Sequence, residues 1–293
     1  MQSWSAIESL IAANTGREFR VHKSRGLAGG SINDAYLIAD KDRQYFVKFN
    51  HAEKLDMFAA EAEGLIELSK PGVIRIPEVI GYDHFRHQSY LVLEYISLGR
   101  SSSESDRRMG QQLAALHHTE AKRFGWRRDN TIGATPQINT WCDSWPEFLA
   151  RNRIGYQLEL ATRNGFGRGI TNGATLCANL HVFFSNYEPR PALLHGDLWS
   201  GNYAYSNEGE PIIYDPAVYF GDRESDLAMT ELFGGFSPDF YASYQEHYPL
   251  DEGYRVRKTL YKLYHILNHL NLFGSGYLAQ SKNMIDSLLA QIR

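Results

Sequence analysis

The spacing of hydrophobic residues along the first hundred positions alternates between helical and strand periods. Apolar residues between positions 3 and 14 recur three and four apart, which predicts a helix that ends at Gly16. The next apolar segments are short, as in strands. We predict five strands, over residues 19–23, 35–38, 44–49, 76–81 and 89–96. A longer helical pattern over residues 53–69 separates the third strand from the fourth.

Helical periods dominate the rest of the chain. We predict helices over residues 105–118, 145–162, 173–187 and 258–273, and another that begins near Gly221. Ser144 is the predicted N-cap of the second of these helices. Residues 124–139 are rich in turn formers and are predicted to be a loop. A segment with four serines between Gly99 and Asp106 is the predicted boundary between two lobes, residues 1–98 and 99–293.

Composition and charge exclude several function classes. The 293 residues are 43% hydrophobic, enough for one large domain or two lobes, and carry a net charge of −4. A nucleic-acid-binding protein shows clustered basic residues, and a membrane span needs about 20 consecutive apolar residues. Since neither occurs, we expect no nucleic-acid or membrane partner. The N-terminus lacks the pattern of a signal peptide, and Cys142 and Cys177 are too few for a disulfide framework. We therefore expect a cytoplasmic protein, whose oligomeric state stays open.

The most informative polar residues follow a short apolar run at positions 192–194. This run leads into His195-Gly196-Asp197, and Asn202 comes five residues after the aspartate. A second apolar run then ends at Asp215. The spacing H-x-D-x4-N with a later aspartate is that of a kinase catalytic loop and its metal-binding aspartate. In that pattern Asp197 accepts the proton of the attacking hydroxyl, while Asn202 and Asp215 hold Mg²⁺. The alternative is an ordinary turn, because these residue types favour turns.

Two features far upstream favour the kinase interpretation. Gly29, Gly30 and Ser31 lie in a glycine-rich loop between two predicted strands, where backbone N–H groups can approach a phosphate. Lys48 lies inside an apolar strand, where an ammonium group is unfavourable unless it meets a partner. In kinases such a lysine binds the α- and β-phosphates and pairs with a glutamate on the next helix. The alternatives are an ordinary hairpin and a lysine that reaches solvent from an edge strand.

The helix over residues 53–69 offers two candidate partners for Lys48. On a helical wheel Glu61 flanks the apolar face, whereas Glu63 points away from it, so we choose Glu61 and expect Glu63 to face water. The fifth predicted strand ends in Glu94-Tyr95-Ile96. This segment resembles the hinge of kinases, whose backbone binds adenine, so Glu94 and Ile96 are further candidates for nucleotide binding.

Together these residues resemble a known family. The resemblance is carried by five segments, namely His195–Asn202 (H-G-D-L-W-S-G-N), Asp215-Pro216-Ala217, Gly221–Glu224, Met57–Glu61 and Leu267-Asn268-His269-x-Asn271. Over nearly its whole length the chain resembles the fructosamine kinases, or ketosamine-3-kinases, which are related to the aminoglycoside phosphotransferases.

The resemblance implies an α+β, protein-kinase-like bilobal fold. Its small N-lobe would hold a five-stranded antiparallel sheet and a helix of the αC type, and its larger C-lobe would be mainly helical. ATP and Mg²⁺ would bind in the cleft between the lobes. The reaction implied is transfer of the γ-phosphate to the 3-hydroxyl of a ketosamine, a sugar adduct on a small amine or a protein lysine, which then decomposes and leaves the amine deglycated.

The resemblance also extends the candidate site. Trp199, Asn268 and His269 would lie on the substrate side. From the residues alone Asn268 has a second interpretation, because buried amides also join helices. Several relatives carry a cysteine where this chain has Ser31, so a thiol switch in the glycine-rich loop is not expected. Two alternatives stay open: a kinase of another small hydroxyl substrate, such as an aminoglycoside or choline, and a nucleotide-binding pseudokinase.

Overall fold

A five-stranded antiparallel sheet forms the first part of the molecule. The computed structural model describes residues 4–27 and 33–292, so the candidates Gly29, Gly30 and Ser31 lie outside the described residues. The strand order is β1-β2-β3-β5-β4. The strands are β1 (Lys23–Leu27), β2 (Asp34–Ala39), β3 (Gln44–His51), β4 (Val79–Phe85) and β5 (Gln88–Glu94). Two helices, α1 (Trp4–Thr15) and α2 (Leu55–Ser69), pack on this sheet.

The alternation of side chains along β3 gives the sheet two different faces. Tyr45, Val47 and Phe49 belong to a core that also contains Ile7 and Ile11 of α1. Successive side chains of a strand point to opposite faces. Lys48 therefore points away from α1 and toward α2, although it is buried within an otherwise apolar strand.

The second part of the molecule is mainly helical. Its helices are α3 (Ser103–His117), α4 (Trp145–Phe148), α5 (Tyr156–Arg163), α6 (Gly173–Ala178), α7 (Glu224–Thr230), α8 (Pro238–His247), α9 (Tyr254–Phe273) and α10 (Leu278–Ile292). A π-helical segment, Leu149–Gly155, joins α4 to α5, so the helix predicted over residues 145–162 is one stretch with an irregular centre. Ser144 accepts a hydrogen bond from the backbone N–H of Glu147, as an N-cap should.

Short two-stranded ladders position the loops of this helical part. The strands are β6 (Asn130–Ile132), β7 (Thr135–Gln137), β8 (Ala192–Leu194), β9 (Tyr203–Tyr205), β10 (Pro211–Ile213) and β11 (Tyr219–Gly221). They pair as β6–β7, β8–β11 and β9–β10. The boundary predicted between residues 98 and 99 falls in the segment between β5 and α3, and it stays a prediction.

Several predicted elements differ from the structure. Residues 19–22 are not a strand, and the apolar signal there comes from Phe19, which is buried in one core with Ile7 and Ile11 of α1, its ring centroid 5.1 Å from that of Tyr45. The first strand is β1, an edge strand of exposed polar residues, and it carries no apolar alternation. The predicted loop over residues 124–139 contains the β6–β7 hairpin. The helix predicted to reach residue 187 ends at Ala178 and continues as a short 3₁₀ segment.

No helix among residues 4–27 and 33–292 is long and apolar enough to cross a membrane.

We expect the substitution Gly110→Ala to lower the thermal unfolding midpoint by several degrees. An alanine Cβ at this position of α3 would lie 2.3 Å from the carbonyl oxygen of Phe240 and 2.9 Å from the backbone nitrogen of Tyr244. Relief of this clash requires α8 to move away from α3, and overpacking of this kind costs about 1–3 kcal/mol. Differential scanning fluorimetry measures the shift.

Gly276→Ala is the matched control, because nothing lies within 4 Å of its Cβ position. Equal unfolding midpoints for the two variants would contradict the close packing of α3 on α8.

Candidate active site

Three charged groups from distant parts of the chain meet above the sheet. The Lys48 ammonium nitrogen Nζ lies 2.7 Å from Oε1 of Glu61 on α2, and it also contacts the carboxylate of Asp215. Lys48 is only 6% exposed. Burial of a charged group is unfavourable unless it is paired, and here two carboxylates pair with one ammonium. The geometry thus brings together the lysine and the glutamate chosen from the sequence, and joins them to Asp215.

Asp215 has an unusual backbone conformation that directs its carboxylate into the cleft. It follows β10 by two residues and has a φ of +57°. This left-handed region is adopted by few residues other than glycine, and aspartate and asparagine are among those that tolerate it. The Asp215 side chain is 43% exposed. Although it touches Lys48, its carboxylate therefore remains open to a ligand.

Asn202 joins the two halves of the candidate site. Its side-chain nitrogen Nδ2 donates to the Asp197 carbonyl at 2.8 Å, to Asp197 Oδ2 at 3.2 Å and to the Asp215 carbonyl at 3.3 Å. The backbone N–H of Tyr214 donates to the Asn202 carbonyl at 3.1 Å. One buried amide thus fixes the distance between the loop that carries Asp197 and the segment that carries Asp215.

The Asp197 carboxyl has a raised pKa. Burial raises its pKa from the ordinary 3.8 to about 7, the hydrogen bond from Asn202 works in the opposite direction, and the charge of Asp226 raises the pKa further. A carboxylate with a pKa near the working pH is well suited to accept a proton from a hydroxyl group.

The loop that carries Asp197 is held from below by Asp226 of α7. The Asp226 carboxylate accepts hydrogen bonds from the backbone N–H groups of His195 at 2.7 Å and Gly196 at 2.8 Å. Nε2 of the buried His117 lies 3.3 Å from the same carboxylate. Gly196 has a φ of +83°, and a Cβ there would lie 2.1 Å from the Ala217 carbonyl oxygen, so only glycine fits. Asp226 is itself buried, so it braces the catalytic loop and is not a solvated helix carboxylate.

His195 ties the same loop to the Asp215 segment. Its ring nitrogen Nε2 donates to the Tyr214 carbonyl at 2.9 Å, and its own carbonyl accepts from the backbone N–H of Ala217 at 2.9 Å. Burial lowers the pKa of His195. A neutral imidazole with Nε2 protonated satisfies these contacts. His195 therefore has a structural role, in which it connects the catalytic loop to the segment around Asp215.

The oxygen donors of the site fit a magnesium ion. Mg²⁺ prefers oxygen ligands and is usually held by one or two carboxylates together with substrate phosphates. Asp215 supplies an open carboxylate, and the side-chain amide of Asn202 lies beside it, with Nδ2 3.3 Å from the Asp215 carbonyl oxygen. Among the described residues there is no group of three or more His, Cys, Asp or Glu side chains that could hold a metal alone. A single open carboxylate such as that of Asp215 matches the way proteins hold Mg²⁺ together with substrate phosphates.

The end of β5 is the predicted hinge, and there the side chain of Glu94 binds the segment before β4. Its carboxylate contacts Arg75 and accepts from the backbone N–H of Glu78 at 3.1 Å. The Glu94 N–H donates to the Glu78 carbonyl at 2.8 Å. Ile96 follows the end of the strand and is partly exposed. Nucleotide binding here stays a prediction for the backbone, and the Glu94 side chain holds the segment before β4.

Trp199 lies at the surface of the catalytic loop. It is 38% exposed, and its indole lies over Gly201, where a Cβ would come within 2.3 Å of the ring. The glycine thus lets a large aromatic ring fold flat against the loop two residues after Asp197. A flat, half-exposed ring in this position is available to a sugar.

The structure does not support a substrate contact for Asn268. The residue is 3% exposed, its Oδ1 accepts from Gln157 at 3.2 Å, and its Nδ2 donates to the Ile132 carbonyl at 3.3 Å. Asn268 therefore joins α9 to neighbouring elements, which is the second of the two interpretations given from the sequence. Asn271 has the same role through Gln157.

His269, one residue later, has a different environment. It is partly exposed, and its ring packs against those of Phe233, Phe273 and Tyr277 with centroids 4.7, 5.3 and 5.2 Å away. Its Nδ1 bonds the carbonyl of His265. His269 and Phe273 are four residues apart on α9, a spacing that places them on one helix face, whereas Phe233 comes from a distant segment that no local pattern reveals. A substrate role for His269 stays a prediction.

The chain matches the family model described as fructosamine kinase over residues 3–291. A protein of Synechocystis sp. named as a probable ketoamine kinase is 48% identical over 287 residues, which are 98% of this chain and 97% of that protein. The chloroplastic protein-ribulosamine 3-kinase of Arabidopsis thaliana is 40% identical over 283 residues, which are 95% of this chain and 86% of that protein.

The similarity extends to a solved structure. A Haemophilus somnus protein assigned as a fructosamine-3-kinase superposes with a TM-score of 0.90 at 32% identity, with 98% of this chain and 97% of that chain covered. Together with the five-stranded sheet and the helical second part, this likeness confirms the predicted α+β, protein-kinase-like bilobal fold. The family resemblance predicted from the sequence is likewise confirmed, and the chain belongs to the fructosamine kinase family.

Proposed function

We propose that this protein transfers the γ-phosphate of ATP to the 3-hydroxyl of a ketosamine at the site built from Lys48, Glu61, Asp197, Asn202 and Asp215. The observation that carries the proposal is the convergence of these five side chains from both parts of the molecule. Relatives named as ketoamine kinase and protein-ribulosamine 3-kinase support a ketosamine as the acceptor.

Each residue of the proposed site has one role in the reaction. The Asp197 carboxylate accepts the proton of the 3-hydroxyl as the bond between that oxygen and the γ-phosphorus forms. The bond from the γ-phosphorus to the bridging oxygen breaks, and ADP leaves. Lys48 neutralises charge on the α- and β-phosphates, and Glu61 orients its ammonium. Most of the acceleration in such a transfer comes from positioning and charge stabilisation.

Asp215 and Asn202 would hold Mg²⁺ at this site. The ion, when bound, offsets negative charge on the phosphate groups. We assign Trp199 and His269 to the ketosamine side, because the half-exposed indole face of Trp199 can stack on a sugar. Both small amines and protein lysines are proposed as carriers of the ketosamine. We propose the cytoplasm as its location, because the use of ATP and the free thiols of Cys142 and Cys177 suit a reducing compartment.

We expect parent protein, ATP, Mg²⁺ and ribulosyl-lysine to give a product heavier by one phosphate, and Asp197→Asn to form it far more slowly. Loss of a positioned base costs about 10²- to 10⁴-fold in rate, while nucleotide affinity should change little. Mass spectrometry identifies the product, and a coupled ADP assay gives its rate.

Asp143→Asn is the matched control, since its side chain is 81% exposed and pairs with Arg123 away from the site. Equal rates for Asp197→Asn and the control would exclude Asp197 as the base, and no ADP formation by the parent protein with any acceptor would favour a pseudokinase. Turnover of an aminoglycoside or choline without turnover of ribulosyl-lysine or fructosyl-lysine would overturn the proposed acceptor.

The rate should also fall as the pH drops below neutrality. Asp197 acts as a base only when ionised, and burial raises its pKa to about 7. With both substrates well below their KM values, log rate should decline with unit slope below about pH 7, because the free enzyme is then increasingly protonated. A profile that stays flat from pH 8 to pH 5 would indicate an Asp197 pKa near its ordinary value.

We expect Trp199→Ala to raise the KM for ribulosyl-lysine about tenfold, since loss of a stacked aromatic contact costs about 0.5–1.5 kcal/mol beyond the area it buries. The KM for ATP should stay within twofold of the parent value. Ile66→Ala is the control, because Ile66 is a similarly exposed hydrophobic residue on α2. A KM for ribulosyl-lysine that is equal in the two variants would place the sugar elsewhere.

A further inference from the structure

We propose that Arg128 is a positioning residue for phosphoryl transfer, which clamps α2 to the second lobe and thereby keeps Glu61 and Asp215 together. The proposal rests on the function proposed above for those two residues. The clamp consists of residues 126–139, a segment that includes the β6–β7 hairpin and for which the sequence predicted only a loop. One end of the clamp forms ion pairs with α2, and the other end forms hydrogen bonds with the backbone that follows Asp215.

The α2 end of the clamp is a network of ion pairs. Arg128 Nη1 lies 2.6 Å from Glu63 Oε1, and Arg128 Nη2 lies 2.7 Å from Asp56 Oδ1. Arg127 Nη2 lies 2.7 Å from the other oxygen of Glu63. Glu63, which the sequence analysis expected to face water, thus binds two arginines from the second lobe. Because Glu61 is two residues away on the same helix, these contacts restrict where Glu61 can lie.

The other end of the clamp is a set of buried side-chain amides. The Asn130 amide nitrogen donates to the Val218 carbonyl at 2.9 Å, and that of Gln137 donates to the Ala217 carbonyl at 3.0 Å. The side chains of Asn130 and Gln137 are both buried. The two carbonyls belong to the second and third residues after Asp215. The same hairpin therefore fixes the backbone that holds Asp215 in its left-handed conformation.

The clamp itself is attached firmly to the helical lobe. Nη2 of the buried Arg153 donates to Asn139 Oδ1 at 2.7 Å, and its Nη1 donates to the Ile138 carbonyl at 2.6 Å. The Tyr264 hydroxyl of α9 donates to Gln137 Oε1 at 2.7 Å. A hairpin fixed by these contacts moves with the second lobe, so Arg128 transmits the position of that lobe to α2.

Direct packing completes the arrangement. A Cβ at Gly64 of α2 would lie 3.3 Å from Val218 and 3.5 Å from Pro216, so the helix backbone rests on the segment after Asp215. α2, the hairpin and residues 216–218 thus contact each other pairwise. Separation of any two of them would lengthen the contacts of Lys48 with Glu61 and Asp215, because those carboxylates lie on two of the three parts.

The expected effect is on nucleotide use rather than on folding. Partly exposed ion pairs contribute little to global stability. A small displacement of α2, in contrast, acts directly on the ammonium group that faces the phosphates. Loss of the clamp should therefore raise the KM for ATP and lower kcat, and leave the KM for the ketosamine unchanged.

The test compares Arg128→Gln, Glu63→Gln and the double variant with Arg123→Gln. Arg123 lies in the same region and forms an ion pair with Asp143 inside the second lobe, at 2.7 Å, so it controls for loss of an arginine that does not reach α2. With ribulosyl-lysine as acceptor, we expect Arg128→Gln and Glu63→Gln each to raise the KM for ATP about 5- to 10-fold. The double variant should lose less than the sum of the two single variants, because both remove the Arg128–Glu63 pair, while Asp56 pairs with Arg128 alone and Arg127 with Glu63 alone. Arg128→Lys should recover part of the loss.

Lys48→Met is measured alongside to separate the two proposals. If Lys48→Met has normal kinetics for ATP, the proposed site is wrong. If Lys48→Met is impaired while Arg128→Gln matches Arg123→Gln, the site stands and the clamp is overturned. Losses in Arg128→Gln and Glu63→Gln that add in the double variant, or that affect the ketosamine KM as much as the ATP KM, would also overturn the clamp. An ATP-specific, non-additive loss with an unfolding midpoint close to that of Arg123→Gln supports it.

Discussion

The ion cluster of Lys48, Glu61 and Asp215 is the interaction on which the rest of the structure depends. One ammonium group, almost fully buried, faces two carboxylates that come from helix α2 and from the end of β10. A buried charge without partners would be strongly unfavourable, so the sheet and the helical lobe must keep this alignment. The cluster has more negative than positive charge, which suits the arrival of a divalent cation with a nucleotide.

Hydrogen bonds between side chains and the backbone hold the remaining reactive groups. Asp226 fixes two successive N–H groups of the catalytic loop, and Asn202 links that loop to Asp215. These bonds are buried, where an unmade hydrogen bond is costly, so the loop has a single well-defined shape. Asp197 consequently sits in a preorganised position, and the burial that fixes it also raises its pKa.

Local patterns predicted the elements whose side chains pack against a core. β3 shows the alternation of a half-buried strand, and the helix that carries Glu61 shows an apolar face that selects Glu61 for Lys48. Local patterns did not predict the elements that form through backbone pairing or through polar contacts between residues far apart in the chain. β1 is an exposed edge strand, and the β6–β7 hairpin is held by side-chain amides. Neither has a hydrophobic period, so neither left a signal in the sequence.

By itself the sequence determined the chemistry. The types, order and spacing of Lys48, Glu61, Asp197, Asn202 and Asp215 already indicated phosphoryl transfer, because they match the strand lysine, helix glutamate, catalytic loop and metal-binding aspartate of kinases. The tertiary structure decided the partners. It put Asn268 in the interior and gave Glu63 two arginines from the other lobe. Contacts between residues far apart in the chain follow from how the elements pack, and neither helical periodicity nor motif spacing encodes that packing.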